Sequence, residues 1–308
     1  GLRFVTAEGD RRLNIPALGH PQEVDWREGD VVLLTMKSQH SAVALDALGE
    51  TAPRQIPVVC GQNGVANERM ALRRFANVYG MVVNLPAVHL QPGEVVTHAE
   101  GSGGILDTGR YPDGCDAVAE VLTDLLSEAG FTAEPDQRIM RKKYAKLLMN
   151  LGNIIQAATV PAVQAATDPA VQAATDPASG TSDNDALEKN ALATIYRCLR
   201  GEALACFKAA GIDCASREEV RGRHRNTFQM VEIAGRERAG GSSWQSISRG
   251  TGNLETDYLN GEITLLGGLH GVPTPGNRVC LEIASRMLRE RLSVGSFRPS
   301  EILAMIEA

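Results

Sequence analysis

The stretch Asp30-Val-Val-Leu-Leu-Thr-Met-Lys37 contains an apolar run of strand length, and Ile56-Pro-Val-Val-Cys60 repeats the pattern after a helical stretch at 41–48. A second helical stretch at 67–76 and a third apolar run at 78–83 follow. Continuous apolar runs that alternate with helices are typical of parallel strands buried on both faces. The pattern therefore predicts a parallel α/β sheet in the first part of the chain.

Shorter extended segments and a long helical region follow this sheet. Residues 94–98 and 104–108, separated by Gly-Ser-Gly, predict a hairpin at the sheet edge, and residues 131–133 a short strand. The remainder is expected to be all helical, with helices at 117–129, 137–158, 186–210, 217–238, 253–270, 278–292 and 299–307. We therefore expect a partial sheet domain over residues 1–136. A helical domain over residues 137–308 would bind substrate and could form a homodimer.

An octapeptide repeat interrupts the helical part. It reads Gln156-Ala-Ala-Thr-Val-Pro-Ala-Val163 and recurs from Gln164 and from Gln172, with a proline in each copy. Proline breaks helices, and the small side chains bury too little apolar surface to offset the entropy of ordering. We interpret residues 157–184 as a low-complexity, mobile insertion, with a lid over a nearby site as the functional alternative.

Composition and charge exclude several classes of protein. Of the 308 residues, 43% are hydrophobic and 22% charged, and no apolar run reaches the roughly 18 to 20 residues of a membrane helix. The net charge of -6 comes without a basic cluster, so we expect neither nucleic acid nor membrane as a partner. The six cysteines form no C-x-x-C pair, which predicts reduced thiols in a cytoplasmic protein and no metal site.

The predicted helix around Lys146 carries the strongest functional signal. At about 100° per residue, Lys146, Asn150 and Asn153 fall near 0°, 40° and -20° of a helix whose other faces are apolar. Asparagine is a poor helix former and is costly to bury unpaired. The stripe predicts a wet cleft that binds a polar ligand, and a solvated helix face is the alternative.

Further polar patches occur at the ends of predicted elements. Lys37 and Gly61-Gln62-Asn63-Gly64 follow the first two strands, and α/β sheets bind ligands at the carboxyl ends of parallel strands. Ser242 and Ser243 stand in a stretch of small polar residues that could present hydroxyl groups to a carboxylate. A solvated strand end, a simple turn and a helix cap are the plainer interpretations.

Taken together and in order, these patches resemble the ketopantoate reductase (2-dehydropantoate 2-reductase) family. The matching stretches are Met36-Lys37-Ser38, Gly61-Gln62-Asn63-Gly64, Lys146-x-x-x-Asn150, Ser242-Ser243, Glu255-Thr-Asp-Tyr-Leu-Asn260-Gly261 and Gly271-Val-Pro-Thr-Pro275-Gly-Asn277. The resemblance implies an incomplete Rossmann-like sheet domain followed by a helical domain. It also implies NADPH-dependent reduction of a 2-oxo acid to the 2-hydroxy acid, in pantothenate biosynthesis.

The resemblance also implies a role for each site residue. Lys146 would be the general acid that protonates the ketone oxygen as hydride arrives. Glu255 would contact the cofactor ribose and orient Lys146, and Lys37 would lie near the adenine-side ribose and phosphates. Asn63 would lie between nicotinamide and substrate.

The same resemblance implies which residues hold the 2-oxo acid. Asn150 would hydrogen-bond the substrate, Asn153 would be a second amide on the same face, and Ser243 would hold the substrate carboxylate or hydroxyl.

The sequence holds no G-x-G-x-x-G loop after a strand. We therefore expect this chain to lack the first β-α-β unit and to bind NADPH poorly. Two alternatives remain: a β-hydroxyacid dehydrogenase-like enzyme, which also pairs Lys with Asn four residues on, and a truncated, non-catalytic remnant used for association. The Ser243 and Glu255 patch argues against the first.

Overall fold

The computed structural model describes residues 1–159, 183–224, 227, 229–233, 241–250 and 252–308, except the side chains of 183, 184 and 224. Most of the predicted insertion, residues 160–182, lies outside the described residues. The chain forms two compact units. Unit 1 comprises Gly1–Leu147 and Cys214–Gly235, and unit 2 comprises Leu148–Asp213 and Arg236–Ala308.

This division differs from the predicted boundary after residue 136. The helix that follows the boundary begins in unit 1, where Lys143 forms an ion pair with Glu68. The later segment Cys214–Gly235 also belongs to unit 1, and the Ala215 amide donates to the Arg141 carbonyl at 3.1 Å. Both contacts join residues far apart in sequence, so local periodicity could not predict them.

The secondary structure begins with strands and ends with helices. The strands are β1 Leu2–Thr6, β2 Gly9–Leu13, β3 Val32–Leu34, β4 Val58–Cys60, β5 Val78–Met81, β6 Ala87–Val88, β7 Glu94–Thr97, β8 Ala99–Glu100, β9 Thr108–Arg110 and β10 Gln229–Met230. The helices are α1 Ser41–Gly49, α2 Asn67–Leu72, α3 Ala117–Glu128, α4 Ile139–Asn150, α5 Asn153–Thr159, α6 Asp183–Ala209, α7 Arg217–His224, α8 Ser242–Ser248, α9 Thr256–His270, α10 Pro275–Arg289 and α11 Pro299–Glu307. None of these described helices is long and apolar enough to cross a membrane.

The main sheet of unit 1 confirms the predicted parallel α/β arrangement. Its order is β3-β4-β5-β9, with β3, β4 and β5 parallel and β9 antiparallel. Alternate residues of a strand face opposite sides. Val58 and Cys60 therefore pack with Leu45 of α1, whereas Val59 packs with Ala119 of α3 on the other face. Helices cover both faces, which explains the continuous apolar runs.

The predicted hairpin of 94–98 with 104–108 is wrong. Strand β7 instead pairs with β1 in parallel and with β6 in antiparallel, in a separate sheet of order β2-β1-β7-β6. Ile105 forms isolated bridges with Asn84 and Thr132. Alternation of apolar residues indicates a strand but does not specify its partner.

The helical prediction needs three corrections. The helix predicted at 137–158 is two helices, α4 and α5, separated at Leu151 and Gly152. The helix predicted at 217–238 ends at His224, and β10 pairs with β8, so the second half is not entirely helical. The short helix α8 was not predicted. The unit 2 core is built from large apolar side chains: Leu151, Ile154, Ile155, Ile195, Leu199, Leu259, Ile263 and Ile283.

Candidate active site

Two predicted site residues of unit 1 lie at the carboxyl ends of neighbouring strands. Lys37 is half-buried and stands just before a 3-10 turn, after β3. Asn63 is half-buried and follows β4. Gly64 makes the loop turn with a φ of +83°, a conformation that other residues rarely adopt. The hydroxyl of Ser38 lies 3.4 Å from the Asn63 carbonyl oxygen, so the structure brings the two strand ends together.

A buried polar network lies behind these two strand ends. The Gln62 side-chain amide donates to the Ser41 hydroxyl at 3.1 Å, and that hydroxyl donates to Asn67 Oδ1 at 2.7 Å. Asn67 Nδ2 donates in turn to the Ser38 hydroxyl at 3.0 Å. These bonds hold both loops in place before any ligand arrives. The network was not predicted, although a polar start to the helices after two apolar strands was a usable signal.

Lys146 lies on α4 with its ammonium next to an amide that was not predicted. Its Nζ donates to Asn84 Oδ1. Burial lowers the pKa of Lys146 to about 8. The group is therefore mostly protonated at pH 7 yet releases its proton far more readily than an exposed lysine. Asn84 follows the third apolar run of the chain, as Lys37 and Asn63 follow the first two.

Asn150 ends α4, four residues after Lys146 and therefore on the same face of that helix. It is buried, and its Nδ2 has no hydrogen-bond partner among the described residues. An unpaired buried amide is costly and suits a site that receives a polar ligand. Asn153 is different: it begins α5 after the break, so the predicted three-residue stripe on one continuous helix is wrong.

Asn153 and a further residue of α5 hold the start of α8. Asn153 Nδ2 donates to the Ser242 hydroxyl at 3.3 Å, and the Gly241 amide donates to Gln156 Oε1 at 3.1 Å. Ser243 is buried in the first turn of α8. Gln156 was not predicted, because it is also the first residue of the octapeptide repeat and its composition suggested no site.

Glu255 is half-buried and immediately precedes α9. It lies in unit 2 and Lys146 in unit 1, so its predicted effect on Lys146 stays a prediction. Helix α9 is anchored by Asn260, whose Nδ2 donates to the Leu151 carbonyl and to Asn277 Oδ1, both at 3.0 Å. The first of these bonds fixes the break between α4 and α5.

A half-buried carboxylate organises the start of α10. Glu202 accepts hydrogen bonds from the Gly276 amide at 2.7 Å and from the Asn277 amide at 3.0 Å. It also accepts one from Asn277 Nδ2 at 2.7 Å. These contacts give the Gly271–Asn277 stretch a structural role, which the sequence did not reveal because Glu202 lies far away along the chain.

The strand-end loops of unit 1 offer a polar group to a nicotinamide dinucleotide, but the sequence has no loop for its pyrophosphate. Gln62 Oε1 is buried without a hydrogen-bond partner among the described residues, beside the Asn63 loop and the Lys37 strand end. The 308 residues contain no G-x-G-x-x-G loop for the pyrophosphate. In the described part of the chain, no group of three His, Cys, Asp or Glu side chains could hold a metal ion.

Comparison with known families and relatives gives consistent matches. The description "Ketopantoate reductase PanE/ApbA" matches residues 1–112, and "Ketopantoate reductase PanE/ApbA C terminal" matches residues 138–287. A 2-dehydropantoate 2-reductase of Pyrococcus horikoshii is 29% identical over 121 residues. That match spans 39% of this chain and only 39% of the relative.

Solved structures share the fold over most of the chain. A PanE/ApbA family ketopantoate reductase from Ralstonia eutropha JMP134 superposes with a TM-score of 0.68 at 23% identity. D-mandelate dehydrogenase in a ternary complex with NADH and anilino(oxo)acetate gives a TM-score of 0.69 at 19% identity. Each comparison covers 94% of this chain and 86% of the other. At these identities the likeness establishes the fold.

Proposed function

Because the chain belongs to the ketopantoate reductase family, we propose that it is an oxidoreductase that reduces a 2-oxo acid to the 2-hydroxy acid with NADPH. The substrate would be 2-dehydropantoate or a related compound, as the name of the Pyrococcus relative suggests. The 2-oxo acid analogue and NADH named in the D-mandelate dehydrogenase complex support this reaction class. The predicted homodimer stays a prediction.

The proposal rests on the hydrogen bond and the lowered pKa of Lys146. Its ammonium contacts the Asn84 side-chain oxygen, and burial lowers its pKa to about 8. A general acid works best when its pKa is near the working pH. One helical turn further on, Asn150 presents a buried side-chain Nδ2 with no hydrogen-bond partner among the described residues. A proton donor and a free hydrogen-bond donor on one helix face suit a polar carbonyl substrate.

The chemistry divides between the cofactor and the protein. Bound NADPH would supply the hydride. Lys146 would hold its proton at Nζ and donate it to the ketone oxygen as negative charge develops there, an effect worth roughly 10²- to 10⁴-fold in rate. Asn84 would keep the ammonium oriented through the hydrogen bond that it already accepts.

The other site residues would bind and orient. Asn150 would donate to the substrate, with Asn153 as a second amide, and Ser243 would hold the carboxylate or hydroxyl. Lys37 and Asn63 would contact the cofactor at the strand ends, and Glu255 would contact its ribose. Gln62 Oε1 would accept a hydrogen bond from the cofactor at the strand ends.

The proposal is tested with Lys146→Ala and Lys146→Met. We expect either change to lower kcat by about 10² or more, because the developing alkoxide loses its proton and nearest positive charge. In the wild-type protein kcat should fall as pH rises through about 8, where the ammonium deprotonates, and this basic limb should vanish in the variants. The measurement is NADPH oxidation with a panel of 2-oxo acids.

Lys189→Ala is the matched control, since Lys189 is an exposed lysine on α6, and its kcat should be unchanged. Binding of NADPH should also be unchanged in the Lys146 variants. Because weak cofactor binding is expected, turnover is measured at cofactor concentrations raised until the rate no longer changes, and no turnover of any 2-oxo acid with NADPH or NADH under those conditions would contradict the proposed reaction. A near-normal kcat in Lys146→Ala would instead make the polar face of α4 structural.

A further inference from the structure

Lys143 lies one turn before Lys146 on α4, and its side chain is buried and paired in the interior of unit 1. Its Nζ forms an ion pair with Glu68 Oε1 at 2.5 Å, and the two side chains are 2% and 0% exposed. Breaking a buried ion pair from one side leaves an uncompensated buried charge and strongly destabilises the fold. Lys143 is therefore not the harmless solvated neighbour that the basic run Arg141-Lys142-Lys143 suggests.

The same ammonium also binds the loop that carries Asn63. Lys143 Nζ donates to the Cys60 carbonyl at 3.2 Å and to the Gln62 carbonyl at 3.0 Å. Cys60 ends β4, and Gln62 immediately precedes Asn63. One side chain of α4 thus holds the backbone on either side of Gly61.

Glu68 connects this anchor to the other strand end. It follows Asn67, which donates to the Ser38 hydroxyl next to Lys37. The sheet leaves space for the pair at Gly80 of β5. A Cβ there would lie 3.2 Å from Lys143 Cδ and 3.4 Å from Glu68 Oε1. Two adjacent residues of α2 therefore tie both strand-end loops and α4 together.

We propose that Lys143 and Glu68 are positioning residues of the reductase, whose ion pair fixes the Asn63 loop against the helix that carries the general acid. The inference rests on the proposed function for its catalytic meaning. The pair acts through Asn63 and Lys146, because both of its members are buried. Its loss releases the loop carbonyls and lets the loop and α4 move independently.

The experiment compares Lys143→Met and Glu68→Gln with Lys142→Met. Lys142 is the preceding residue of α4, and its ammonium pairs instead with Asp107 and Asp136. Each change removes an ion pair and is expected to lower stability. Only the first two should loosen the loop, so amide hydrogen exchange at residues 61–64 should accelerate about tenfold or more, at equal distance below each Tm. Lys142→Met should leave it within about twofold.

A second measurement concerns the reaction. In Lys143→Met and Glu68→Gln, kcat should fall about tenfold or more. The KM for the 2-oxo acid should stay within about twofold, because the substrate-binding side chains are unchanged. Should these variants not fold, Lys143→Arg and Glu68→Asp retain both charges and should show intermediate exchange. Unchanged exchange at 61–64, or equal acceleration in Lys142→Met, overturns the proposal. A wild type that is inactive even at high cofactor concentration refutes the proposed function, whereas hydrogen exchange still tests whether the ion pair holds the Asn63 loop.

Discussion

The two units hold their candidate site residues by different chemistry. Unit 1 adds ion pairs to the neutral network behind its strand ends: Lys143 pairs with Glu68, and Lys142 and Arg223 pair with buried Asp107. In unit 2 the supports centre on side-chain amides. Asn260, Asn277 and Gln156 bond backbone groups or each other, and Asn277 also bonds the half-buried carboxylate of Glu202.

This difference has a physical consequence. Ion pairs depend on protonation, so acid weakens them, whereas amide side chains do not ionise over the ordinary pH range. The supports of unit 1 should therefore respond to pH through Asp107 and its partners. The amide supports of unit 2 should depend mainly on geometry, because each amide must lie within hydrogen-bond distance of its partner.

The largest effect is expected at the centre of the amide network. Asn277 is fully buried and donates through Nδ2 to Glu202 and to the Leu199 carbonyl, while its Oδ1 accepts from Asn260. Asn277→Ala removes these three hydrogen bonds, of which the one to the Glu202 carboxylate is worth about 1.5–3 kcal/mol and each neutral one about 0.5–1.5 kcal/mol. We expect the free energy of unfolding to fall by about 3–5 kcal/mol in urea titrations at pH 7.

Arg278→Ala is the control for this change. Arg278 is the next residue of α10 and is exposed, so its removal should alter the free energy of unfolding by less than about 0.5 kcal/mol. A loss below about 1 kcal/mol in Asn277→Ala would mean that the amide network contributes no more than an ordinary surface contact.

The second effect concerns the ionic supports of unit 1. Burial alone opposes ionisation of Asp107, but hydrogen bonds from Arg223 and Lys142 outweigh it and hold its pKa below the ordinary value. A carboxyl group with a lowered folded-state pKa stabilises the protein above its unfolded pKa, near 3.9, and loses that effect as pH falls through the folded value. Asp107→Asn should cost about 2–3 kcal/mol at pH 7.

The difference between the wild type and Asp107→Asn should then shrink as pH falls below about 4, because the wild-type carboxyl becomes protonated too. Urea midpoints measured from pH 7 to pH 3 test this expectation. Asp124→Asn, at an exposed position of α3, should show neither the loss nor the pH dependence. A pH-independent difference would show that Asp107 acts through shape and not through charge.

Much of unit 1 could be predicted from sequence because its signals are local. Strands β3, β4 and β5 are apolar runs, and Lys37 and Asn63 follow two of them directly. The partners could not be predicted in the same way. Lys143 is indistinguishable in sequence from Lys142, and only the position of Glu68 across the unit shows which lysine is buried.

Unit 2 was harder to predict because its turning points depend on distant residues. The α4–α5 break lies at Leu151, whose carbonyl accepts from Asn260, more than a hundred residues later. Periodicity within 137–158 therefore continued through the break and placed Asn153 on the wrong helix. The same distance hid the contact of Gln156 with Gly241.

At Gln156 we expect the smallest loss of stability together with a clear loss of affinity for the substrate. Its Oε1 accepts from the Gly241 amide at 3.1 Å, and a Cβ at Gly241 would lie only 2.8 Å from that oxygen. Gln156→Ala removes one neutral hydrogen bond, which should cost about 1 kcal/mol of stability. Because that bond sets the start of α8, Ser243 should lose its fixed position, and the affinity for a 2-oxo acid should fall about fivefold with kcat almost unchanged. Thr159→Ala is the matched control one turn later on α5, where the hydroxyl only donates back to the Ile155 carbonyl, and its affinity should be that of the wild type. If Gln156→Ala binds the 2-oxo acid as well as Thr159→Ala does, the amide supports of unit 2 hold the fold and not the substrate.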